Sequence, residues 1–147
     1  MRAYNDFFDE VVSTEIELWN HLDRALLAET GVSAAQLQAL TALARPEGSA
    51  RVQDVSQRLR ITVGAASKLI DRLERDGLAE RSPHPSDRRS MLIELTPAGE
   101  TALAEATTAA DSNLERLLGA QFEPAEAEAM TSALRALRLA LTEGVLA

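Results

Sequence analysis

Two adjacent arginines, Arg88 and Arg89, stand in a segment otherwise made of turn-forming residues. Two prolines within residues 83–87 disfavour both a helix and a strand ladder, so this stretch should form an exposed loop. The flanking residues 78–82 and 91–95 alternate apolar and polar side chains, the second more clearly, which predicts two short strands joined as a hairpin. Guanidinium groups at the tip of such a ribbon can enter the minor groove of a duplex, where phosphates on both sides concentrate negative potential. Taken alone, the segment is equally compatible with a solvated hairpin that carries two surface arginines.

A short helix and a longer helix are predicted immediately before this hairpin. Residues 52–59 place apolar side chains at i, i+3 and i+7, which form one helical face. Thr62 is suited to cap the second helix, and Arg60 stands where compact turns of this kind often have glycine. A non-glycine residue there either takes a left-handed conformation, at a cost of about 1 kcal/mol, or makes the turn more open. The second helix spans residues 63–76, is closed by Gly77, and has an inner face formed by Val63, Ala66, Leu69, Ile70 and Leu73.

The outer face of the second helix combines small residues with hydrogen-bond donors and cations. Gly64 and Ala65 allow a close approach to base edges, and Ser67 and Lys68 offer donors. Arg72, further along the helix, is better placed for phosphates. The alternative for this stretch alone is a solvated helix face. The order of helix, helix and basic hairpin predicts a mainly α protein with a winged helix-turn-helix and a small β-hairpin wing.

Two motifs of this chain resemble those of the MarR family of bacterial winged-helix regulators. The wing pattern of that family is Asp, any residue, Arg, five residues, Leu-Thr, two residues and Gly, and it matches residues 87–99 here. Residues 61–74 are similar to the recognition helix of the family. The resemblance implies a homodimer that binds a short palindromic operator in double-stranded DNA and usually represses nearby genes.

The resemblance also assigns roles to individual residues. It implies that Arg89, together with Arg88, enters the minor groove and that Asp87 braces an arginine through a salt bridge. The candidate DNA-binding residues are Thr62, Gly64, Ala65, Ser67, Lys68 and Arg72 on the recognition helix and Ser86, Asp87, Arg88 and Arg89 on the wing.

The flanking segments predict long amphipathic helices. We expect a single domain over residues 1–147, with a winged-helix DNA-binding lobe at 33–97 and dimerisation helices at 1–32 and 98–147. The apolar stripes of these helices exceed what a small DNA-binding lobe can cover, and pairing across a two-fold axis would bury them. A two-fold dimer separates its recognition helices by about 34 Å, one turn of DNA. A monomer that packs these stripes internally is the alternative.

Positive charge is concentrated in the predicted DNA-binding segment, although the net charge of the chain is −8. Residues 45–90 carry ten basic and seven acidic side chains, a net charge of +3. Residues 1–44 carry two basic and seven acidic side chains, and residues 91–147 carry three and nine. This distribution places the cations where phosphates are expected.

The remaining composition argues against several other classes of protein. The chain has no cysteine, which excludes a disulfide framework, a thiolate metal site and the thiol-oxidation switch of one branch of the family. With two histidines and no phosphate-binding glycine loop, the sequence predicts neither an enzyme nor a metal or cofactor site. No apolar run approaches the roughly 18 residues of a membrane span and no signal peptide is recognisable, so we expect a cytoplasmic protein.

Two open questions concern ligands and partners. Many members of the family respond to small aromatic or phenolic compounds, and Trp19 and His21 on the first helix are candidate ligand contacts. The structural alternatives are a core position for Trp19 and a surface position for His21. A protein-interaction module built on a degenerate winged helix, without DNA binding, is the alternative function.

Overall fold

The protein folds as a winged helix-turn-helix flanked by long helices. A computed structural model describes residues 2–45, 50–87 and 89–144. By internal contacts the chain divides into two compact units, Met1–Ala110 and Asp111–Ala147. The elements within the described residues are α1 (Arg2–Thr30), α2 (Ala34–Leu43), α3 (Val52–Leu59), α4 (Val63–Arg75), β1 (Ala79–Pro83), β2 (Met91–Leu95), α5 (Pro97–Gly119) and α6 (Pro124–Thr142). The mainly α fold class and the β-hairpin wing predicted from the sequence are confirmed.

Local sequence signals determine where α2 begins. The Ser33 hydroxyl accepts a hydrogen bond from the Gln36 amide at 3.1 Å, and the Gln36 side chain accepts one from the Ser33 amide at 2.9 Å. This reciprocal arrangement satisfies two backbone donors that a helix start otherwise leaves unpaired. Asp23 of α1 accepts a third hydrogen bond, from the Ala34 amide at 2.8 Å. The same cap therefore also ties α1 to α2.

One apolar core holds the first unit together. Its largest fully buried side chains come from five different elements, so the burial of each one links several segments of the chain. Full burial of an aliphatic side chain of this size contributes about 1.5–3 kcal/mol. These residues are Leu26, Leu40, Val55, Ile70, Leu73 and Ile93.

The predicted inner face of α4 is correct except at its first residue. Ala66, Leu69, Ile70 and Leu73 are buried, as their spacing indicated, but Val63 is 51% exposed. Val63 has the right helical phase, but it is the first residue of α4 and lies beyond the end of the core. Periodicity assigns a side chain to a face of a helix, and it does not say how far along the helix the packing extends.

The prediction that Pro83 lies in the loop is wrong, because it is the last residue of β1 and pairs with Met91. The Ile93 amide donates to the carbonyl of Ala50 at 2.8 Å, away from β1, so Arg81 and Ile93 form a pair without hydrogen bonds between them. Pro83 lies two residues further along the same ladder, where this alternation again requires no donor. The missing amide proton of proline therefore costs the ladder nothing at this position.

The strand β2 leads directly into α5 through Thr96. The Thr96 hydroxyl donates to the Gly77 carbonyl at 2.6 Å and accepts from the Gly99 amide at 3.0 Å, so it caps α5 and holds the end of α4. Gly99 lies so close to Leu78 that a Cβ atom added there would overlap the Leu78 carbonyl oxygen. The glycine of the wing pattern is thus required by a close approach of two backbones.

Both α1 and α6 carry apolar side chains that remain exposed within their own units. Leu26 is the only buried residue of α1, and α6 has none among its described residues. None of the helices in the described ranges is long and apolar enough to cross a membrane. Most of the large exposed apolar residues recur every three or four positions, namely Tyr4, Phe8, Val12, Ile16 and Trp19 on α1 and Met130, Leu134, Leu137 and Leu141 on α6, whereas Phe7, Leu27 and Leu139 are exposed outside these stripes.

Replacing Gly99 with alanine should lower the free energy of unfolding by about 2 kcal/mol, because the new methyl group forces the backbone at Leu78 to move. Urea denaturation measures this difference. Gly119→Ala, at the end of the same helix, is the matched control, since outside that helix no described atom lies within 4 Å of the added carbon. The control should be unchanged or slightly more stable. Equal stability of the two variants would contradict the close approach.

Candidate nucleic-acid interface

The turn between α3 and α4 is compact, and Arg60 in it has a left-handed backbone conformation. The sequence had left open whether Arg60 is left-handed or the turn is more open. Arg60 has φ 54° and ψ 44°, and within the described residues it is the only non-glycine residue with positive φ. The Ile61 amide donates to the Ser56 carbonyl at 3.1 Å, and the Ser56 hydroxyl donates to the Ile61 carbonyl at 2.7 Å. These two bonds hold the turn closed, so the strain at Arg60, about 1 kcal/mol, is offset locally.

The start of α4 is fixed by its cap. The hydroxyl of Thr62 accepts from the Ala65 amide at 3.1 Å, as its position before the helix predicted. Thr62, Gly64 and Ala65 are all exposed, and their side chains are small, so little covers the backbone of the first turn at these positions. A duplex could therefore approach the backbone of this turn closely.

Two cations follow on the same side of α4. Lys68 and Arg72 are exposed and four residues apart, which puts them on one face of the helix. Within the described ranges neither one forms an ion pair. Their charges are therefore available to an anionic partner.

The tip of the wing is organised by side chains that bond to its own backbone. Nδ1 of His84 accepts from the amides of Ser86 and Asp87 at 3.0 and 3.2 Å. The Asp87 carboxylate accepts from the Arg89 amide at 3.0 Å and from the Ser90 hydroxyl at 3.2 Å. Ser86, Asp87 and Arg89 are exposed. This role of His84 could not be predicted from the sequence, because a histidine in a loop has no spacing signal that reveals a backbone acceptor.

Asp87 holds the turn of the wing, and the salt bridge to an arginine expected for it stays a prediction. Its carboxylate caps the backbone of the turn at Arg89, and it forms no ion pair with an arginine among the described residues. The carboxylate is two residues from Arg89, and at that distance it reaches the amide of the turn. Arg88, the other arginine assigned to the minor groove, lies outside the described residues.

An arginine that the sequence analysis did not select joins the wing to α4. The Arg81 guanidinium donates to Asp71 at 2.7 Å, to Glu74 at 2.9 Å, and to both the carbonyl and the hydroxyl of Ser67 at 3.3 Å. Its side chain is only 19% exposed. A signal for it was available: Arg81 lies two residues from the buried Ala79 on β1, so it belongs to the inward face of the strand. An inward arginine requires acidic partners, and α4 supplies them.

A cavity of about 460 Å³ lies beside the outer face of α4, within the first unit. Trp19 lines it together with the cations Arg58, Lys68 and Arg72, and none of the acidic residues that the structure describes lines it. His21 does not line it, because residues two apart on a helix point in different directions. The assignment of Trp19 and His21 as ligand contacts stays a prediction, and Trp19 is the one of the two that lines this cavity. In the described ranges, no group of three or more His, Asp or Glu side chains could hold a metal ion.

Comparison with known proteins identifies relatives of the chain. The sequence pattern that defines the MarR family matches residues 30–90. The multiple antibiotic resistance protein MarR of Salmonella typhimurium is 30% identical over 105 residues, which are 67% of this chain and 72% of that protein. The HTH-type transcriptional repressor MdtR of Bacillus subtilis is 29% identical over 92 residues, 63% of this chain and 59% of that protein.

The fold is also shared with solved structures. Sco3205, a MarR family transcriptional regulator from Streptomyces coelicolor crystallised in complex with DNA, superposes with a TM-score of 0.85. The match covers 96% of this chain and 89% of that one, at 22% sequence identity. At this identity the likeness establishes the winged-helix fold.

Proposed function

The chain belongs to the MarR family of transcriptional regulators, and we propose that it binds a palindromic operator in double-stranded DNA as a homodimer and represses nearby genes. The observation that carries this proposal is the face of α4, where an open first turn is followed by Lys68 and Arg72, two cations without an ion pair among the described residues. In this proposal α4 lies in the major groove, and Thr62, Gly64, Ala65 and Ser67 approach base edges there.

The wing supplies the second contact in this proposal. Arg89 is exposed at a turn whose backbone is held by His84 and Asp87, so its guanidinium is carried by an ordered support. A pre-organised arginine loses less conformational freedom when it enters the minor groove. Ser86 and Arg88 complete the proposed contact, and Asp87 contributes by shaping the turn.

The acidic net charge of the chain is compatible with this function. Exposed charges further apart than about 10 Å are largely screened at moderate salt, so a local cationic face acts independently of distant carboxylates. The segments before and after residues 45–90 carry the excess of acidic residues. These acidic segments would repel phosphates when the protein approaches DNA in an orientation that does not present residues 45–90.

Repression is the direction of regulation that we propose. A dimer that covers an operator next to a promoter excludes other proteins from that DNA. The relative MdtR is itself named a transcriptional repressor.

The exposed apolar residues of α1 and α6 support dimerisation. A helix such as α1, with one buried residue among 29, gains little from packing within its own unit. A second copy of the chain brings an identical stripe to each helix, which is how a two-fold interface becomes self-complementary. We propose that residues 1–32 and 98–147 form this interface and that residues 33–97 form the DNA-binding lobe.

We further propose that a small aromatic or phenolic anion releases the DNA. The cavity beside α4 is within the usual size range for such ligands, and it combines the Trp19 ring with three cations. Lys68 and Arg72 belong to both the cavity and the proposed DNA-binding face. A bound carboxylate would therefore compete with phosphates for the same charges.

The second candidate, a protein-interaction module without DNA binding, is favoured only by the acidic net charge. Binding to a protein partner requires neither exposed cations on α4 nor an ordered arginine at the wing. The salt dependence of DNA binding separates the two functions, because only a phosphate-binding protein releases condensed counterions.

Fluorescence anisotropy should detect binding to a duplex that the wild-type protein selects from a random-sequence pool, with an affinity that falls steeply as salt rises. Arg89→Ala and Lys68→Ala should each bind about tenfold more weakly, with the salt slope smaller by about one. Arg24→Ala, which removes an exposed arginine from α1, is the control and should bind normally. Failure of the pool to yield any bound duplex, at low salt as well, would contradict DNA binding.

Placing a charge on the apolar stripe of α6 should produce monomers. Leu134→Glu introduces a carboxylate where the proposed interface is dry, and burying it unpaired is unfavourable. Ser132→Glu adds the same charge on the other side of the helix and should remain dimeric. Light scattering during size-exclusion chromatography measures the mass of each variant. A wild-type monomer, or two dimeric variants, would argue against this interface.

Ligand binding should change the emission of Trp19, the only tryptophan of the chain. Among simple probes, 4-hydroxybenzoate should quench it and weaken DNA binding, whereas the uncharged 4-hydroxybenzyl alcohol should do so less, because the cations favour a carboxylate. Lys68→Gln should reduce the response to the anion. An equal response to both compounds would contradict a charge-selective site.

A further inference from the structure

Arg81 contacts a single stripe of α4 with both terminal nitrogens of its guanidinium group. Nη1 donates to Asp71 and Glu74, and Nη2 donates to Ser67. These partners lie at i, i+4 and i+7, so one side chain of the wing spans two turns of the recognition helix. The planar fork of arginine suits such multiple contacts, whereas a lysine ammonium acts as a compact point charge.

From this geometry, and on the premise of the proposed function, we infer that Arg81 is a positioning residue that determines sequence discrimination. It sets the wing and the recognition helix at one relative position, in which both can contact the same stretch of DNA. It holds Ser67 in a defined orientation as well, because the Ser67 hydroxyl accepts from Arg81 and keeps its own proton for another acceptor.

Ile93 attaches the hairpin to the core at one point, and Arg81 supplies a second attachment, which sets how the hairpin is oriented about that point. Arg81 pairs with Ile93, which is fully buried and bonded on its other side to Ala50. Arg81 lies two residues before Pro83, the last residue of β1. A displacement of the guanidinium would therefore move the tip that carries Arg89.

Charge gives Arg81 a second effect on the same face. Its single positive charge lies against two carboxylates, and Asp71 is 58% exposed on the helix that is proposed to approach phosphates. Without Arg81, two unpaired carboxylates would remain within a few ångströms of each other. With only 19% of its own side chain exposed, Arg81 has little surface left for a phosphate.

The test compares two duplexes and two arginines. The duplexes are one selected by the wild-type protein from a random-sequence pool and a shuffled duplex of the same composition. Arg81→Gln should lose on the order of tenfold in affinity for the selected duplex while its salt slope stays unchanged. Arg72→Gln, the matched comparison, should weaken binding to both duplexes and lower the slope by about one. Arg81→Lys should not restore discrimination, although it keeps the charge.

Ser67→Ala tests the same contact from the side of α4. Because it removes only a hydroxyl group, it should disturb the fold little. It should also lose discrimination, and adding Arg81→Gln to it should cost less than Arg81→Gln costs alone, because the two residues act through one contact. Far-UV circular dichroism and thermal unfolding establish that each variant is folded.

Three results are decisive against one proposal or the other. If folded Arg81→Gln keeps the wild-type ratio of affinities for the two duplexes, Arg81 is merely structural and the inference is wrong. If its salt slope falls by about one, Arg81 is itself a phosphate contact, and the inference is again wrong. If the wild-type protein binds neither duplex, the proposed DNA-binding function is wrong. This result comes from the wild-type protein alone and does not depend on the Arg81 variants.

Discussion

The wing is anchored to the rest of the first unit by the buried side chain of Ile93 and by the guanidinium of Arg81. A two-stranded hairpin is at best marginally stable in water, so it needs such attachments to hold one position. Ile93 lies in the core and bonds through its amide to Ala50, while Arg81 reaches α4. The close approach of Gly99 to Leu78 then sets where α5 leaves the hairpin. The positions of wing, recognition helix and flanking helix therefore depend on one another.

This arrangement separates the charges of α4 into two groups with different uses. Asp71 and Glu74 are satisfied internally by Arg81, so they are not simply solvated acidic residues on a basic protein face. Lys68 and Arg72 have no such partner within the described residues and form the wall of the cavity beside the helix. A chain with an acidic net charge can in this way present a cationic surface, because the local pairing of charges matters more than their sum.

Much of the fold follows from short-range patterns in the sequence. The spacing of apolar residues predicted α3 and α4 within one residue of their observed ends, and Thr62 and Gly77 act as the caps that their residue types indicated. These features depend on contacts within a few residues, where the backbone geometry of a helix is known in advance. The left-handed Arg60 was one of two possibilities, and the bonds between Ser56 and Ile61 explain why the compact turn is the one formed.

The sequence by itself determined the order of the elements, their inward faces and the stretch that carries the cations, since all three are written in local periodicity and composition. Only the tertiary structure decided the partners of polar groups. Arg81 bonds to residues 7 to 14 positions away, Asp87 caps a backbone amide, and Trp19 lines a cavity together with cations from α3 and α4. The exposure of Val63 and the strand position of Pro83 were settled in the same way. A polar side chain bonds to whatever the packing brings within about 3 Å, and that distance is set by how whole elements fit together.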